Sequence, residues 1–271
     1  VGIVREVGPE VTEFAVGDRV WYAGEISRPG SNAQYQPVDE RSTGRAPHNL
    51  TDAEAAALPL TAITVGEMLF DRLQVEVGKR DRDKSILVIG AAGGVGSILV
   101  QLARRLTNLQ VIGTASRPET KAWLKRLGTH HVINHSNPLS EELAVTGFDE
   151  VDYVVSLTNT EDHQAEIVKC IKLQGKFALI DDPGSLDVLA FKQKSISLHW
   201  GFMFTRSLFE TEDIRMQNQL LSELADLIDR RLIQTTLGHY FGKINAENLR
   251  KAHVMVESKA TKGKIFQEGF E

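Results

Sequence analysis

The sequence predicts an α/β fold, a doubly wound parallel sheet joined to a smaller β-rich unit, and three observations carry that prediction. From Ser85 onward, short apolar runs alternate with amphipathic stretches of helical length, the pattern of buried parallel strands connected by helices. A glycine-rich turn sits directly between the first of these runs and the first amphipathic stretch, where sheets of this kind make their tightest strand-to-helix turn. Residues 1 to 40 instead carry apolar runs separated by Gly, Pro and Asp, in the manner of antiparallel strands and turns.

The elements follow in order. Val1–Gly8 and Gly17–Tyr22 read as strands of a small barrel or sandwich. Because the chain opens on Val1 rather than methionine, in what already reads as the middle of a β-rich segment, further sequence is expected upstream. Thr51 precedes Asp52, Glu54 and a run rich in Ala and Leu, interrupted by Pro59, which predicts two consecutive helices between residues 51 and 73. The buried parallel strands are expected at Ile86–Ile89, Val111–Thr114, Val132–Asn134, Val151–Leu157, Phe177–Ile180 and Ile196–Trp200. A polar-apolar segment from Leu208 to Leu232 predicts one long helix, and the chain closes with a helix at Glu247–Ser258 and a strand at Lys264–Gln267, expected to rejoin the first unit.

At 271 residues, 42% hydrophobic and 25% charged, the chain has room for one large domain or two modest ones. A formal net charge of -5 offers no broad attraction for nucleic acid or an anionic membrane surface, so a small-molecule ligand is the expectation. The single cysteine, Cys170, can form neither an internal disulfide nor a Cys-x-x-Cys zinc site; its apolar surroundings suit a buried helix face, and a reducing, cytoplasmic setting is expected. Ser85–Ala103 is a stretch of 19 uncharged residues, but four glycines lie in its middle, so strand, turn and helix explain it better than a membrane span.

The glycine-rich turn reads Gly90-Ala91-Ala92-Gly93-Gly94-Val95-Gly96, after the strand and before the helical pattern of Ser97–Leu106. Small residues let backbone turn sharply and approach a pyrophosphate, while helix-start amides and the helix dipole favour negative charge. Ala92, Gly93, Gly94 and Val95 are therefore expected to bind the phosphates of a dinucleotide on a Rossmann-type sheet; the bland alternative is a tight turn that binds nothing. A phosphate-binding P-loop would place lysine after the last glycine, but Ser97 and Ile98 follow Gly96. A short-chain dehydrogenase would carry a Tyr-x-x-x-Lys pair, which none of Tyr22, Tyr35, Tyr153 or Tyr240 provides.

An NAD site places a carboxylate roughly 20 residues beyond the glycines, on the adenosine ribose. Here that strand end reads Gly113-Thr114-Ala115-Ser116-Arg117. Ser116, Arg117 and, a helical turn later, Lys121 offer hydroxyl and cationic donors where a 2′-phosphate would sit, which predicts NADPH over NADH. Ser116-x-x-Glu119 with Pro118 also fits a helix capping box, and both readings can hold together.

Gly2-Ile3-Val4 with Val7-Gly8, Val16-Gly17-Asp18-Arg19-Val20, Leu60-Thr61-Ala62 and Ala91-Ala92-Gly93-Gly94-Val95-Gly96, in this order and spacing, resemble the medium-chain dehydrogenase/reductases over essentially the whole chain. Within them the sequence is most similar to the quinone oxidoreductase-like branch, in the group of zinc-type alcohol dehydrogenase-like proteins, with Phe202-Met203-Phe204-Thr205-Arg206 as a further marker. The resemblance implies a partial GroES-like β-barrel catalytic domain, residues 1–58 and 233–271 with its beginning upstream, interrupted by a Rossmann NADPH-binding domain at 59–232. It implies that Thr61 contacts the nicotinamide part of the cofactor, and that His135 replaces a tyrosine that helps hold the 2′-phosphate; a merely exposed polar role for His135 stays open. Backbone around Leu157, Asp181 and Phe202–Phe204 would line the nicotinamide site, and a homodimer or homotetramer would be the assembly. Relatives with catalytic zinc place a cysteine where Ala57 stands, and the structural-zinc loop would fall in Tyr22–Tyr35, which has none; no metal is expected.

Without zinc, hydride transfer needs an acceptor polarised by conjugation, and the enzyme mainly supplies proximity and orientation. The expected activity is NADPH-dependent reduction of a quinone or an α,β-unsaturated carbonyl compound. Zinc-dependent alcohol oxidation and a non-enzymatic NADPH-binding sensor or structural protein are the alternatives. Trp200, Phe202 and Phe204 could form an apolar substrate wall or simply core. Asp181 and Asp182, adjacent on an extended segment, point to opposite faces and are assigned no catalytic role; no residue stands out as a proton donor.

Overall fold

The structure, a computed structural model, describes residues 1–30, 33–78, 83–258 and 260–270. The chain divides into two compact units, Val1–Thr64 with Phe202–Glu271, and Val65–Gly201.

The second unit is built on six strands: β4 (Ser85–Ile89), β5 (Gln110–Thr114), β6 (His131–Ile133), β7 (Val151–Ser156), β8 (Ile171–Leu179) and β9 (Ser197–Trp200). They lie in the order β6-β5-β4-β7-β8-β9, and every neighbouring pair is parallel. The helices between them are α3 (Gly94–Leu106), α4 (Pro118–Leu127), α5 (Leu139–Val145) and α6 (Thr160–Cys170). Because helices cover both faces, a strand needs apolar residues at consecutive positions, and all five residues of β4 are buried. Side chains alternate between faces. Leu87, Ile89, Ile112 and Val154 pack with Leu139 and Leu143 of α5 and Ile167 and Cys170 of α6. On the other face Gly113 lies so close to α4 that a Cβ would sit 3.2 Å from Leu124 Cδ1, and the Trp123 indole N–H donates to Ser97 Oγ at 2.8 Å, fastening α4 to α3.

The parallel strands form where the apolar runs place them, with β8 longer than expected. It begins at Ile171 rather than Phe177, through an irregular start in which Gln174 takes a left-handed φ of 61°. A Cβ on Gly175 would meet Ile171 Cγ1 at 2.6 Å and Asp152 O at 3.0 Å. This bulge-like start interrupts the apolar run and hides it from a periodicity reading.

The first unit holds a three-stranded antiparallel sheet, β1 (Gly2–Ile3), β2 (Arg19–Tyr22) and β3 (Thr43–Arg45), and a parallel pair, β10 (Leu237–Tyr240) with β11 (Lys264–Phe266). Helices α1 (Asp52–Ala56) and α2 (Pro59–Gly66) follow β3; α1 opens with a full capping box between Thr51 and Glu54, and Pro59 starts α2, as its fixed φ allows. By length and composition Asp52–Arg72 could cross a membrane, yet 72% of that window is buried inside the protein.

One expectation is corrected here. The helix expected at Leu208–Leu232 is broken into α7 (Thr205–Leu208) and α8 (Met216–Asp229), with Glu210 at φ 44° between them and the Arg206 guanidinium held by Asp213 at 2.8 Å. The compact units divide after Thr64 and Gly201, where a domain division was expected after residues 58 and 232. The reason is α8, which packs on β3 rather than on the parallel sheet. A Cβ on Gly44 would approach Leu221 Cβ to 2.6 Å, Asn218 Nδ2 donates to Glu13 Oε2 at 2.7 Å, and Asp229 accepts from the His48 and Asn49 amides at 3.2 and 2.9 Å. The final helix, α9 (Ala246–Glu257), and β11 lie where the sequence predicts them.

Since the Gly44 contact is with a Cβ that cannot rotate away, Gly44→Ala is expected to cost about 1–3 kcal/mol by overpacking and to lower the midpoint of thermal unfolding by several degrees. Gly30→Ala, where the added methyl meets nothing within 4 Å, is the matched control and leaves the midpoint unchanged.

Candidate functional site

The strand order reverses between β4 and β7, and open α/β sheets bind ligands beyond the carboxyl ends of strands at such a point. β4 delivers the chain to Gly90, whose φ is +77° and whose Cβ would lie 2.9 Å from Thr158 Cγ2 and 3.4 Å from Leu157 Cβ. The turn after β4 therefore lies against the turn after β7. The Gly90 amide donates to Thr114 Oγ1 at 3.1 Å, which ties the same turn to the end of β5. A Cβ on Gly96 would stand 2.4 Å from Ala91 O, so only glycine lets the first turn of α3 fold back this closely on the strand.

At the start of α3, Gly93 is the N-cap in extended backbone, and no side chain caps the helix. The first-turn amides of Gly94, Val95 and Gly96 thus lack the intrahelical acceptors that later residues have, and they concentrate the positive end of the helix dipole. Ala92, Gly93, Gly94 and Val95 are all partly open to solvent. A glycine-lined cradle with uncapped amides fits the pyrophosphate of a dinucleotide.

Past β5, the chain turns into α4 with Arg117 as N-cap and Pro118 in the first turn, again with no side-chain cap. The capping box expected from Ser116 and Glu119 is not formed, because the helix starts one residue later than that box requires. Glu119 instead lies 3.3 Å from Arg117 Nε as an ion pair, and the Arg117 carbonyl accepts from the Lys121 amide at 3.0 Å. Beyond β6, the Asn134 amide and Asn137 side chain donate to the two oxygens of Glu142 at 2.9 and 2.6 Å, shaping the bend that presents His135. These bonds, with the Lys121 charge, hold the Glu142 carboxyl below its ordinary range.

His135 Nδ1 is buried without a hydrogen-bond partner. Its ring stands edge-on to that of His163, with centroids 6.4 Å apart. Burial, followed by the His163 and Arg117 charges, pushes the His135 pKa below 6.5; burial likewise lowers His163, against the pull of Asp162 and Asp181. His163 lies in the first turns of α6, and nothing in its sequence context singles it out. The neighbouring histidines differ: His130 Nδ1 accepts from the Val111 amide at 2.9 Å, and the His131 ring packs edge-on to Phe148.

Of the residues expected to bind the cofactor, Ala92, Gly93, Gly94, Val95, Ser116, Arg117, Lys121, His135 and Leu157 lie in the second unit, after the carboxyl ends of β4, β5, β6 and β7. Thr61, Phe202 and Phe204 belong to the first unit. Thr61 is buried, and its hydroxyl donates to Leu58 O at 3.0 Å, leaving its lone pairs free to accept. Phe202 is exposed and meets Phe204 edge to face at 5.8 Å. Trp200 is 53% exposed at the end of β9, which excludes the core role. Cys170 is buried in the apolar core, and burial pushes its thiol up to about 12, unsuited to nucleophilic work. Asp181 accepts from the Thr160 amide at 2.9 Å and from the Thr160 hydroxyl, so it secures the start of α6.

The sequence model of the zinc-binding dehydrogenase family matches residues 94–219. A zinc-type alcohol dehydrogenase-like protein of Staphylococcus aureus strain MSSA476 is 38% identical over 267 residues, 98% of this chain and 79% of the relative. The chain belongs to this family. Among solved structures, one from Rhizobium etli CFN 42, provisionally named a zinc-dependent alcohol dehydrogenase, is 51% identical and matches with a TM-score of 0.95 over 100% of this chain and 79% of that one. The quinone oxidoreductase of Escherichia coli, complexed with NADPH, shares the fold at a TM-score of 0.80 and 24% identity, over 99% of this chain and 80% of that one. The protein is thus an oxidoreductase of the medium-chain dehydrogenase/reductase superfamily, with the mixed α/β fold and six-stranded parallel sheet expected.

The family's name invites a test for zinc. Ala57 is a buried methyl group, and among the described residues no group of three or more His, Cys, Asp and Glu side chains could hold a metal.

Four histidines of the second unit, His130, His135, His163 and His199, have pKa values lowered chiefly by burial. The unfolded chain protonates them near 6.5 while the folded one resists, so their contribution to stability is complete above that pH and is lost as pH falls below it. Glu166 adds a second step: burial would raise it, but Lys169 and the Ser140 amide and hydroxyl outweigh burial and hold it at about 2, a contribution lost as pH falls below about 4.3. Thermal midpoints measured between about pH 8 and 4 are expected to begin falling near pH 6.5, less steeply in His135→Gln; a flat profile down to about pH 5 contradicts the assignment.

Proposed function

We propose that this protein is an NADPH-dependent, zinc-independent reductase that delivers hydride to a quinone or an α,β-unsaturated carbonyl compound. The observation that carries the reading is the pairing of two anion-binding features on adjacent strand ends: the uncapped, glycine-lined start of α3, and Ser116, Arg117, Lys121 and His135 beyond β5 and β6. The first suits a pyrophosphate and the second a phosphomonoester on the adenosine ribose, which NADPH carries and NADH lacks.

When bound, the nicotinamide of NADPH supplies the hydride. The protein's own residues then bind and orient. Ala92, Gly93, Gly94 and Val95 hold the phosphates, and Leu157 backbone meets the nicotinamide end. Phe202 and Phe204 offer apolar surface suited to a flat conjugated acceptor. Such an acceptor needs no Lewis acid, which agrees with Ala57 in place of a metal-ligating cysteine. The reading includes a homodimer or homotetramer working in the cytoplasm.

Arg117→Ala is expected to weaken NADPH binding by about tenfold or more, the worth of one charge-assisted hydrogen bond, while sparing NADH; equal losses for both would refute the assignment. With the full-length protein, the near-ultraviolet absorbance of NADPH should fall when quinones and enones are supplied, and elemental analysis should find no zinc. Tight NADPH binding with no consumption on any acceptor would instead favour a non-enzymatic role, and one tightly held zinc per subunit would favour alcohol oxidation.

A further inference from the structure

We propose that His163, through its contact with His135, is a specificity-determining residue that makes the preference for a 2′-phosphorylated cofactor depend on proton loading of the two imidazoles. This rests on the NADPH reading above and adds a residue and a regulation to that site.

Three features of the structure support it. The two rings meet edge-on at 6.4 Å, so one imidazole's charge acts directly on the other. His135 Nδ1 is buried without a partner, and a buried polar atom left unpaired in the empty site is costly unless a ligand group or a proton answers it. The third observation concerns the carboxylates. Glu142, from α5, has both oxygens occupied by Asn134 and Asn137. Asp162, from α6, accepts from Asn159 Nδ2 at 3.0 Å. Asp181, at the end of β8, has both oxygens engaged by Thr160, and Glu119, from α4, pairs with Arg117. Of these, Asp162 and Asp181 draw His163 toward its charged form, though burial outweighs them; the charges acting on His135 are those of His163 and Arg117.

The other charge acting on His135 is cationic, that of Arg117, and Lys121 lies close enough to act on Glu142. A proton on His135 therefore finds its natural counter-charge in a ligand anion, while a proton on His163 is also favoured by Asp162 and Asp181. The chemistry that fits is a phosphomonoester, whose dianion forms above a pKa of about 6 and accepts several charge-assisted hydrogen bonds. With the anion present, both imidazoles gain a reason to be charged near neutral pH; with a ribose hydroxyl in its place they do not. Affinity for NADPH should then rise as pH falls from about 8 toward 6, and affinity for NADH should stay level.

The test is titration calorimetry of the full-length protein with NADPH and NADH at several pH values, repeated in buffers of different ionisation heat so that proton uptake is counted. In the unsubstituted protein the preference for NADPH over NADH is expected to grow by about tenfold between about pH 8 and 6. At about pH 7.5, where the phosphate is already dianionic, NADPH binding should take up protons from solvent and NADH binding should not. His163→Gln should flatten the pH dependence partway, and His135→Gln should abolish the uptake. His135→Tyr, whose hydroxyl donates without titrating in this range, should restore preference with no pH dependence, which also shows that the variant site is folded. A preference that is constant with pH in the unsubstituted protein, or proton uptake that persists in His135→Gln, overturns the proposal. Failure of the NADPH reading itself looks different: NADPH would bind no better than NADH at any pH, and Arg117→Ala would change neither.

Discussion

The close approach of Gly96 to Ala91 is the contact on which the site is built. Because a Cβ there would stand 2.4 Å from the Ala91 carbonyl oxygen, the chain can leave β4 and enter α3 within a few residues only if that position has no side chain. The consequence is geometric and electrostatic together: the helix begins directly at the carboxyl edge of the sheet, capped by a glycine that offers no side-chain acceptor. Its first amides are left pointing outward, and the dipole of the helix adds to them.

The same region shows how neighbouring strand ends are kept in register around the helix start. Thr114 Oγ1 accepts from the Gly90 amide, so β5 and the turn after β4 move as one. Thr158 and Leu157 lie against Gly90, so the turn after β7 is fitted to the same backbone. Asp181 fastens the start of α6 from β8, and Glu142 fastens the bend after β6 from α5. Carboxylates that a sequence reader could mistake for acid–base groups are thus spent on backbone amides, where each charge-assisted bond holds a loop in place. Beside them at this edge stand positive or titratable side chains, Lys121, His135 and His163, with Arg117 paired to Glu119.

Much of the fold was legible because its signals are local. The strands of the parallel sheet are continuous apolar runs, the glycine turn has its own spacing, and Pro59 and Thr51 mark helix starts by fixed φ and side-chain capping. The Leu208–Leu232 segment was misread because amphipathic spacing persists through residues 209–215, while the break depends on a positive φ at Glu210 and on Arg206 finding Asp213. A related limit applies to α8: an amphipathic helix shows that one face is buried, but not which sheet buries it, and Gly44 decides that by admitting Leu221.

By itself, the sequence determined the α/β class, the glycine-lined turn, the lack of a carboxylate past β5 and the alanine at position 57, since each is a matter of residue type and short-range spacing. Only tertiary structure decided that Ser116 does not cap α4, that Trp200 is exposed, and that His163 meets His135. Those outcomes depend on elements far apart in the chain arriving at one sheet edge, and pairwise contacts of that kind leave no periodic trace in the order of residues.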